Sequence, residues 1–581
     1  MLVYGDAPRR ETVSAKLTRV RFYLDEADRD GPWIVRHGFV VAALIEAGEL
    51  AQGVADRASA DTSGDDAPGE ADAAMALVQA LARYVGESWR NGAIRPEDAS
   101  EAIERVGRDV AEGDLTIKLP EGFAHYALYP ESYYEAALAL AGRDLRVVGI
   151  RSIGTTLAGM VAAAVGASPV ASVRPVGHPF ARELSPSDAA LFAVPPSDEI
   201  AIVDEGPGLS GSSVAAVADA AVSGGVEFPR IHVFPSHGHG PGPQASAPTR
   251  RFWQHARIHV RSFEETILQA ENPARRLETW LADLIGEPIA PPREISGGGW
   301  RECLSGNSAR STPVHPWQER RKFLLDTADG TFLLRFAGLG RIGIGKLALA
   351  EKLAAAGFCL PPLGFRHGLL VERWHADARM PDPFGLDRPR LLRTLSAYLG
   401  FRAAHCPADA RAGATAEQLL AMLVANLSEE FGPEAAEAAD AWRPLLPRLE
   451  AGTRRIQTDN RLHAWEWLLL PDGSILKTDA LDHHAGHDLV GCQDAAWDVA
   501  GATVEFALSE GEQRDVIAAV ERASGLPIDP AHVRFATLCY LAFQLGYYRE
   551  AGTAASDVAE AGRLEGCAQR YAGCLRALLG R

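Results

Sequence analysis

Cysteine is scarce and badly placed for pairing. The 581 residues hold seven cysteines, all at Cys303 or later, and no two form a CxxC pair. An odd, dispersed set excludes a disulfide framework or a zinc site built on cysteine, and points to reduced thiols in a cytoplasmic protein. Positive charge is also in short supply. The chain has 58 Lys and Arg against 76 Asp and Glu, a net charge of −18. That balance argues against a nucleic-acid-binding surface as the main function, while allowing a local basic pocket for a phosphorylated ligand. The first residues, MLVYGDAPRRET, lack an apolar signal core. One uncharged stretch, 152–173, is long enough to consider as a membrane span. It is rich in Ala, Gly, Ser and Thr and starts just after a predicted strand, so the expectation is a buried βα unit and no membrane.

What is present is the composition of a soluble globular protein, 47% apolar and 23% charged, at a length that suits two to four domains. Residues 38–56 and 71–85 carry apolar side chains at helical spacing, separated by a small, acidic loop at 58–72. The expectation for 1–115 is a helical region, either a cap or a docking surface. From about residue 117 strands and helices alternate. Segments 145–150, 169–174, 190–194, 199–203 and 230–234 read as strands of a parallel α/β sheet spanning 116–290. APPREISGGG at 290–299 marks a boundary. Beyond it, 322–325 and 331–336 flank Ala328-Asp329-Gly330, a hairpin signal. A helix at 346–355 and a strand at 368–374 follow, and a second hairpin joins 464–470 to 474–478. The rest of 291–581 is helical, the layout of a two-lobed kinase.

The most informative segment is IAIVDEGPGLSGSSV at 200–214. An apolar strand ends in Asp204 and Glu205, a Gly/Pro/Ser loop follows, and an Ala/Val-rich helix begins. Backbone N–H groups and the helix N-terminus attract phosphate. The carboxylates suit ribose hydroxyls or Mg²⁺. Plain helix capping by Ser210, Ser212 or Ser213 explains the same residues equally well. A second turn, RSIGTT at 151–156, also joins a strand to a helix, with Gly154 available for close backbone approach. Two such loops on neighbouring strands can clamp the two ends of one ligand.

Across 117–265 these residues resemble the type I phosphoribosyltransferases. Asp204 and Glu205 match that family's acidic pair, and Gly208, Ser210, Gly211, Ser212 and Ser213 its 5-phosphate loop. Ser152, Ile153, Gly154, Thr155 and Thr156 match the pyrophosphate loop. Four residues separate Glu205 from Ser210 where the family usually has three. The resemblance implies displacement at the sugar C1 carbon of phosphoribosyl pyrophosphate with Mg²⁺ present. Asp204 and Glu205 would hold the ribose hydroxyls, and Arg151 and Arg174 are candidates for pyrophosphate contacts. His178, His237 and His239 are candidate acceptor-site bases or metal ligands, although loop histidines are more often simply exposed.

Across 295–581 the chain resembles the aminoglycoside and choline kinase-like superfamily. Asp459 in QTDNRLHAWEW matches the catalytic base, and Asp479 in KTDAL the aspartate that binds ATP phosphates through Mg²⁺. Asp494 and Asp498 in QDAAWDVA match acids that brace the catalytic loop. The family's His-Gly is Gln457-Thr458 here, and its metal-binding Asn is Ala464. His463 or Glu466 are the substitutes, Glu466 being the better Mg²⁺ ligand. Arg335 stands for the small-lobe Lys, with Lys346 or Arg341 as alternatives for the phosphate contact. Glu351 is placed for its ion pair, and 372–374, beginning at Glu372, for the adenine-reading hinge. Gly297-Gly298-Gly299 reads as a glycine loop or as a linker. His483, His484 and His487 read as a metal cluster or a polar loop.

The combined expectation is a cytoplasmic enzyme in which phosphoribosyl transfer is coupled to ATP-dependent phosphorylation of a hydroxyl. Its ligands would be ATP, Mg²⁺, phosphoribosyl pyrophosphate and a small-molecule acceptor, with self-association left open. The alternative is a nucleotide-sensing regulatory protein in which both units are degenerate.

Overall fold

The computed structural model describes residues 8–60, 69–92, 97–168, 170–195, 197–304, 308–315, 318–486 and 489–580. Most of the acidic 58–72 loop, Pro169 and His487 lie outside them. The chain opens on β1 (Arg9–Thr12), and the Thr12 side chain caps α1 (Val13–Asp28) by accepting from the Ala15 N–H. Three helices follow, α2 (Trp33–Ala60), α3 (Glu70–Asn91) and α4 (Glu97–Asp109). β2 (Asp114–Ile117) then pairs antiparallel with β1, a ribbon that the helical reading of 1–115 did not contain. α2 is long and apolar enough to cross a membrane, but 89% of its apolar window is buried inside the fold. A helix apolar all round belongs in a core.

α5 (Glu121–His125) and α6 (Pro130–Ala137) lead into the α/β unit. Its elements are β3 (Leu145–Ile150), α7 (Ile153–Val165), β4 (Val170–Val173), the hairpin β5 (Val176–His178) and β6 (Ala181–Glu183), and α8 (Pro186–Ala190). Then come β7 (Glu199–Val203), α9 (Ser212–Ser223), β8 (Ile231–Phe234), α10 (Ala247–His255) and β9 (Arg257–Ile258). The strand expected at 190–194 is absent. Ser185 caps α8 there, and Phe192 leaves the following turn to bury itself against the sheet. The sheet runs β4-β3-β7-β8-β9 with every pair parallel. Val147 and Ala201 face one apolar layer, while Val148 and Ile202 face the other. That alternation buries both faces, as a doubly wound sheet requires.

After α11 (Ala282–Ile285), a five-stranded antiparallel sheet forms from β10 (Arg293–Glu294), β11 (Lys322–Thr327), β12 (Gly330–Phe336), β13 (Gly364–Arg366) and β14 (Leu369–Arg373). Its order is β10-β11-β12-β14-β13, with α12 (Gly340–Ala355) inserted between β12 and β13. A helical lobe completes the chain. It contains α13 (Arg388–His405), α14 (Ala416–Phe431), α15 (Pro433–Asp440) and α16 (Leu446–Gly452), then the small hairpin β15 (Trp467–Leu469) and β16 (Ile475–Lys477). α17 (Ala495–Glu505), α18 (Glu510–Ser524), α19 (Pro530–Ala554) and α20 (Val558–Leu578) close it. One apolar core is continuous from Val20 and Leu44 through Leu157 to Phe336 and Val371. The N-terminal helices, the parallel sheet and the antiparallel sheet therefore exclude water together.

Candidate functional site

In the parallel sheet, β3 is the first strand in sequence and lies between the second, β4, and the third, β7. Chain connections leave β3 and β7 toward opposite faces, and a crevice opens beyond their C-terminal ends, where ligands of open α/β sheets bind. Both turns singled out in the sequence sit there. Gly154 is required by close approach, since a Cβ at that position would lie 2.6 Å from the Val203 carbonyl. Ser152 just before it takes φ 105° and ψ −120°, a strained conformation for a residue with a side chain.

The crevice is a cleft of about 1540 Å³, with Arg151, Ser152, Asp204, Glu205, Gly208, Ser210, Gly211 and Ser213 in its wall. Lys118 and Arg174 also border it, as do His237 and His239. Glu205 accepts from the Gly122 N–H at 3.2 Å, and the Tyr133 hydroxyl donates to the Asp204 carbonyl at 2.9 Å. Burial raises the Asp204 carboxyl to about 7 against the pull of the Glu205 and Gly206 N–H groups. It raises Glu205 to about 8, helped by the neighbouring Glu121 and Asp204 charges. Arg174 is held by Asp56 at 2.6 Å, and Arg151 by Asp188 at 3.3 Å and Ser59 at 2.8 Å. Burial lowers the Lys118 amine, and the nearby Arg174 lowers it further. The cleft thus has an acidic floor and a basic rim.

Four residues assigned to these loops, Gly154 and three that carry hydroxyls, are not in the cleft wall. Thr155 and Thr156 are buried on the core side of α7, where a Cβ on Gly48 of α2 would collide with the Thr156 hydroxyl. The Ser212 hydroxyl is turned to the Pro179 carbonyl at 2.6 Å and ties α9 to the β5–β6 hairpin. The reason is common to all three. They lie on the inward faces of the first helical turns, whereas Ser152, Ser210 and Ser213 face outward. His178 lies exposed on the hairpin, away from the cleft.

A second cleft, about 200 Å³, lies between the antiparallel sheet and the β15–β16 hairpin. Leu333, Leu360, Leu468 and Leu476 form apolar walls, and Arg335, Glu372, Trp374, Glu466, Lys477 and Asp479 supply polar groups. Apolar walls with a few charged groups are the common make-up of a small-ligand pocket. Arg335 stands 3.3 Å from Asp479 and 3.6 Å from Glu372. Glu351 makes no such pair. It is exposed on α12, and Glu372 on the adjacent strand takes the place expected for it. Lys346 is committed to Asp482, and Arg341 lies 3.6 Å from Glu46. Gly297–Gly299 do not form a tight hairpin loop, because 295–321 intervenes between β10 and β11 and places Trp300 and Leu304 over the cleft.

Asp459, assigned as the base, is enclosed rather than presented. Its side chain is fully buried. Tyr398 donates to it, Lys477 lies 3.4 Å away, Arg402 3.6 Å and His483 3.8 Å. Burial alone would raise its carboxyl, but Lys477, His483 and Arg402 outweigh that and hold it well below the usual range. Asp498 accepts from the Asp459 and Asn460 N–H groups at 2.8 and 3.0 Å, the bracing expected of it, and Asp494 caps α17. His463 points away, to Glu505 at 3.2 Å and Tyr548 at 3.1 Å. Asp459, Glu466 and His483 are grouped closely enough to share a cation, but the Lys477 ammonium already stands among them. The carboxylates of this cleft therefore do not fit Mg²⁺ as arranged. Asp204 and Glu205, which no cationic side chain contacts among the described residues, offer the oxygen donors that suit it.

Tyr133, Gly122 and Lys118 were not found from the sequence. They come from α5, α6 and the strand-to-helix connection before them, which carry no motif and are brought to the site by tertiary packing, that of α6 on α7 and of β2 on α2 included. His315, Gln318 and Glu319 belong to the walls of both clefts.

No protein-family model matches the chain, and no similar protein was found among curated sequences. Among solved structures, a choline kinase from Streptococcus pneumoniae is 14% identical over 51% of this chain and 98% of its own, with a TM-score of 0.32. A choline/ethanolamine kinase family protein from Mesorhizobium loti is 15% identical over 50% and 94%, with a TM-score of 0.29. An ethanolamine kinase from Plasmodium vivax is 11% identical over 48% and 86%, with a TM-score of 0.31. Likeness at this level fixes neither family nor activity.

Proposed function

We propose that the chain is a two-site enzyme acting on small metabolites. The α/β cleft transfers a phosphoribosyl group from phosphoribosyl pyrophosphate, and the second cleft binds ATP for phosphorylation of a hydroxyl. The observation that carries the first half is the Asp204–Glu205 pair at the end of β7, unpaired by any side-chain cation among the described residues, facing the strained Ser152 turn across the β3/β7 crevice. Two carboxylates there stabilise positive charge developing on a ribose ring, and the basic rim at Lys118, Arg151 and Arg174 receives pyrophosphate. Mg²⁺ carried with the pyrophosphate would offset the leaving group's charge.

The test is pyrophosphate release from phosphoribosyl pyrophosphate and Mg²⁺ across a panel of nucleobase and amine acceptors. Asp204→Asn combined with Glu205→Gln should abolish it while the circular dichroism spectrum stays unchanged. Turnover retained in that double variant would rule the assignment out.

A second reading for the other cleft is a nucleotide sensor without phosphoryl transfer. The enclosure of Asp459 by Tyr398, Arg402 and Lys477 favours it. ADP formation with any hydroxyl acceptor selects the kinase reading, and nucleotide binding without ADP formation selects the sensor.

A further inference from the structure

Outside the walls of both clefts, three side chains from distant parts of the chain converge. His37 lies on α2, Glu131 on α6, and His367 in the turn between β13 and β14. The Nε2 atoms of His37 and His367 stand 2.8 and 2.9 Å from the same oxygen, Glu131 Oε1. His37 and Glu131 are fully buried, and His367 is 4% exposed.

The other carboxylate oxygen, Glu131 Oε2, is buried with no hydrogen-bond partner. A buried carboxylate that leaves one oxygen unpaired is costly, and no Lys or Arg side chain contacts Glu131 among the described residues. The cation of this neighbourhood, Arg275, is committed to Glu135 at 2.6 Å and the Trp89 carbonyl at 3.0 Å. The turn carrying His367 is also under tension. His367 is a non-glycine residue at φ 41°, and the Tyr129 hydroxyl pins its carbonyl at 2.8 Å. The structure thus forces an imidazole toward an oxygen that already has a donor, and leaves the adjacent oxygen with none.

We propose that His37, Glu131 and His367 form a closed structural site for a first-row divalent cation of the Zn²⁺ type. Two imidazole nitrogens and both oxygens of one carboxylate make four donors, a set that suits such ions and leaves no position for water or substrate. The orphaned Oε2 is the fourth donor. His37 Nδ1 stands 2.9 Å from the Ser88 hydroxyl. That hydroxyl can accept from Nδ1–H when Nε2 binds metal and donate when it does not, so it accommodates the ligating tautomer. The site joins the N-terminal helices, α6 and the antiparallel sheet at one point. The ion enters during folding, because the closed site has no exposed donor.

The experiment uses the full chain produced in zinc-supplemented medium, desalted through EDTA and analysed by plasma mass spectrometry. About one equivalent of metal is expected in the parent. His367→Gln keeps a neutral N–H donor toward Glu131 and is expected to hold less than about a fifth of that. Glu131→Gln serves as a second variant if the first folds poorly. Refolding the parent from chelator with Co²⁺ should also produce visible ligand-field bands that the folded variant lacks. Parent protein with no stoichiometric metal, either as purified or after refolding with Zn²⁺ or Co²⁺, overturns the proposal and leaves a hydrogen-bonded network. Equal metal in parent and folded variants overturns it as well, since the ion would then lie elsewhere.

Discussion

Lys477 donates to Glu466 at 2.8 Å and lies 3.4 Å from Asp459, so one ammonium serves two carboxylates that the sequence assigned to catalysis and to metal binding. Replacing it with Met strands both charges inside the protein. Breaking a buried pair from one side costs roughly 3–5 kcal/mol. Lys477→Met should lower the thermal midpoint of the C-terminal lobe, and adding Glu466→Gln should recover part of the loss. A midpoint unchanged by Lys477→Met would show that the ammonium is not what stabilises the pair.

The same ammonium bears on metal dependence. With Lys477 and Arg335 already neutralising Glu466 and Asp479, adenine nucleotide should bind the second cleft with an affinity that EDTA changes by less than about threefold. Calorimetry with ATP in Mg²⁺ and in EDTA measures this directly. A loss of tenfold or more in EDTA would mean that Mg²⁺ displaces the lysine.

Asp204 and Glu205 make stability depend on pH in a defined direction. Their folded-state values, about 7 and about 8, lie above those of unfolded carboxyls. Between about pH 4 and pH 8 the folded chain therefore holds protons that the unfolded chain has released, and this contribution to stability falls as pH rises. The Asp204→Asn, Glu205→Gln double variant should melt roughly 2–5 °C above the parent at pH 8.5, and no higher than the parent near pH 4.5. Midpoints compared by scanning fluorimetry at the two pH values test it. A gap independent of pH would refute the assigned shifts.

Catalysis in the α/β cleft should run the opposite way. The carboxylates stabilise a cationic sugar only when ionised, so pyrophosphate release should increase through pH 7–8 as the two groups lose their protons. A rate that is flat across that interval would argue that neither carboxylate titrates in the free enzyme.

Gly154→Ala tests the geometry of the crevice without removing a charged group, although its Cβ would also lie 3.6 Å from Asp204 Oδ1. The added methyl meets the Val203 carbonyl, which must move, and Val203 directly precedes Asp204. Overpacking of this kind costs about 1–3 kcal/mol. The variant should lose most phosphoribosyl pyrophosphate affinity while nucleotide binding in the second cleft stays within about twofold. Unchanged affinity for both ligands would place the first ligand elsewhere.

The parallel sheet was legible because each of its main strands is a short apolar run, and Asp204-Glu205 and Arg151-Ser152 break two of those runs where the crevice opens. The direction of individual side chains was not. Thr155, Thr156 and Ser212 have the composition of a phosphate loop, yet helical geometry turns them inward, and sequence spacing alone could not separate them from Ser213. In the second lobe, the resemblance singled out Asp459 and Asp479, but the contacts of Lys477 with Asp459 and Glu466 were hidden. Lys477 sits in a strand reading ILK, where a lysine looks like an ordinary solvent-facing residue. The strand reading of 190–194 failed because five small and apolar residues after a Ser-Pro cap suit a helix end and a turn as well as a strand.

His315, Gln318 and Glu319 form part of the wall of both clefts. A partition with a ligand on each side would link the two sites wherever binding on one side moves it. Whatever factor one occupant imposes on the other's affinity by shifting that wall, the second must impose on the first. If both clefts are occupied and that wall shifts, their occupancies form one joint equilibrium, and a titration of either ligand would report on both.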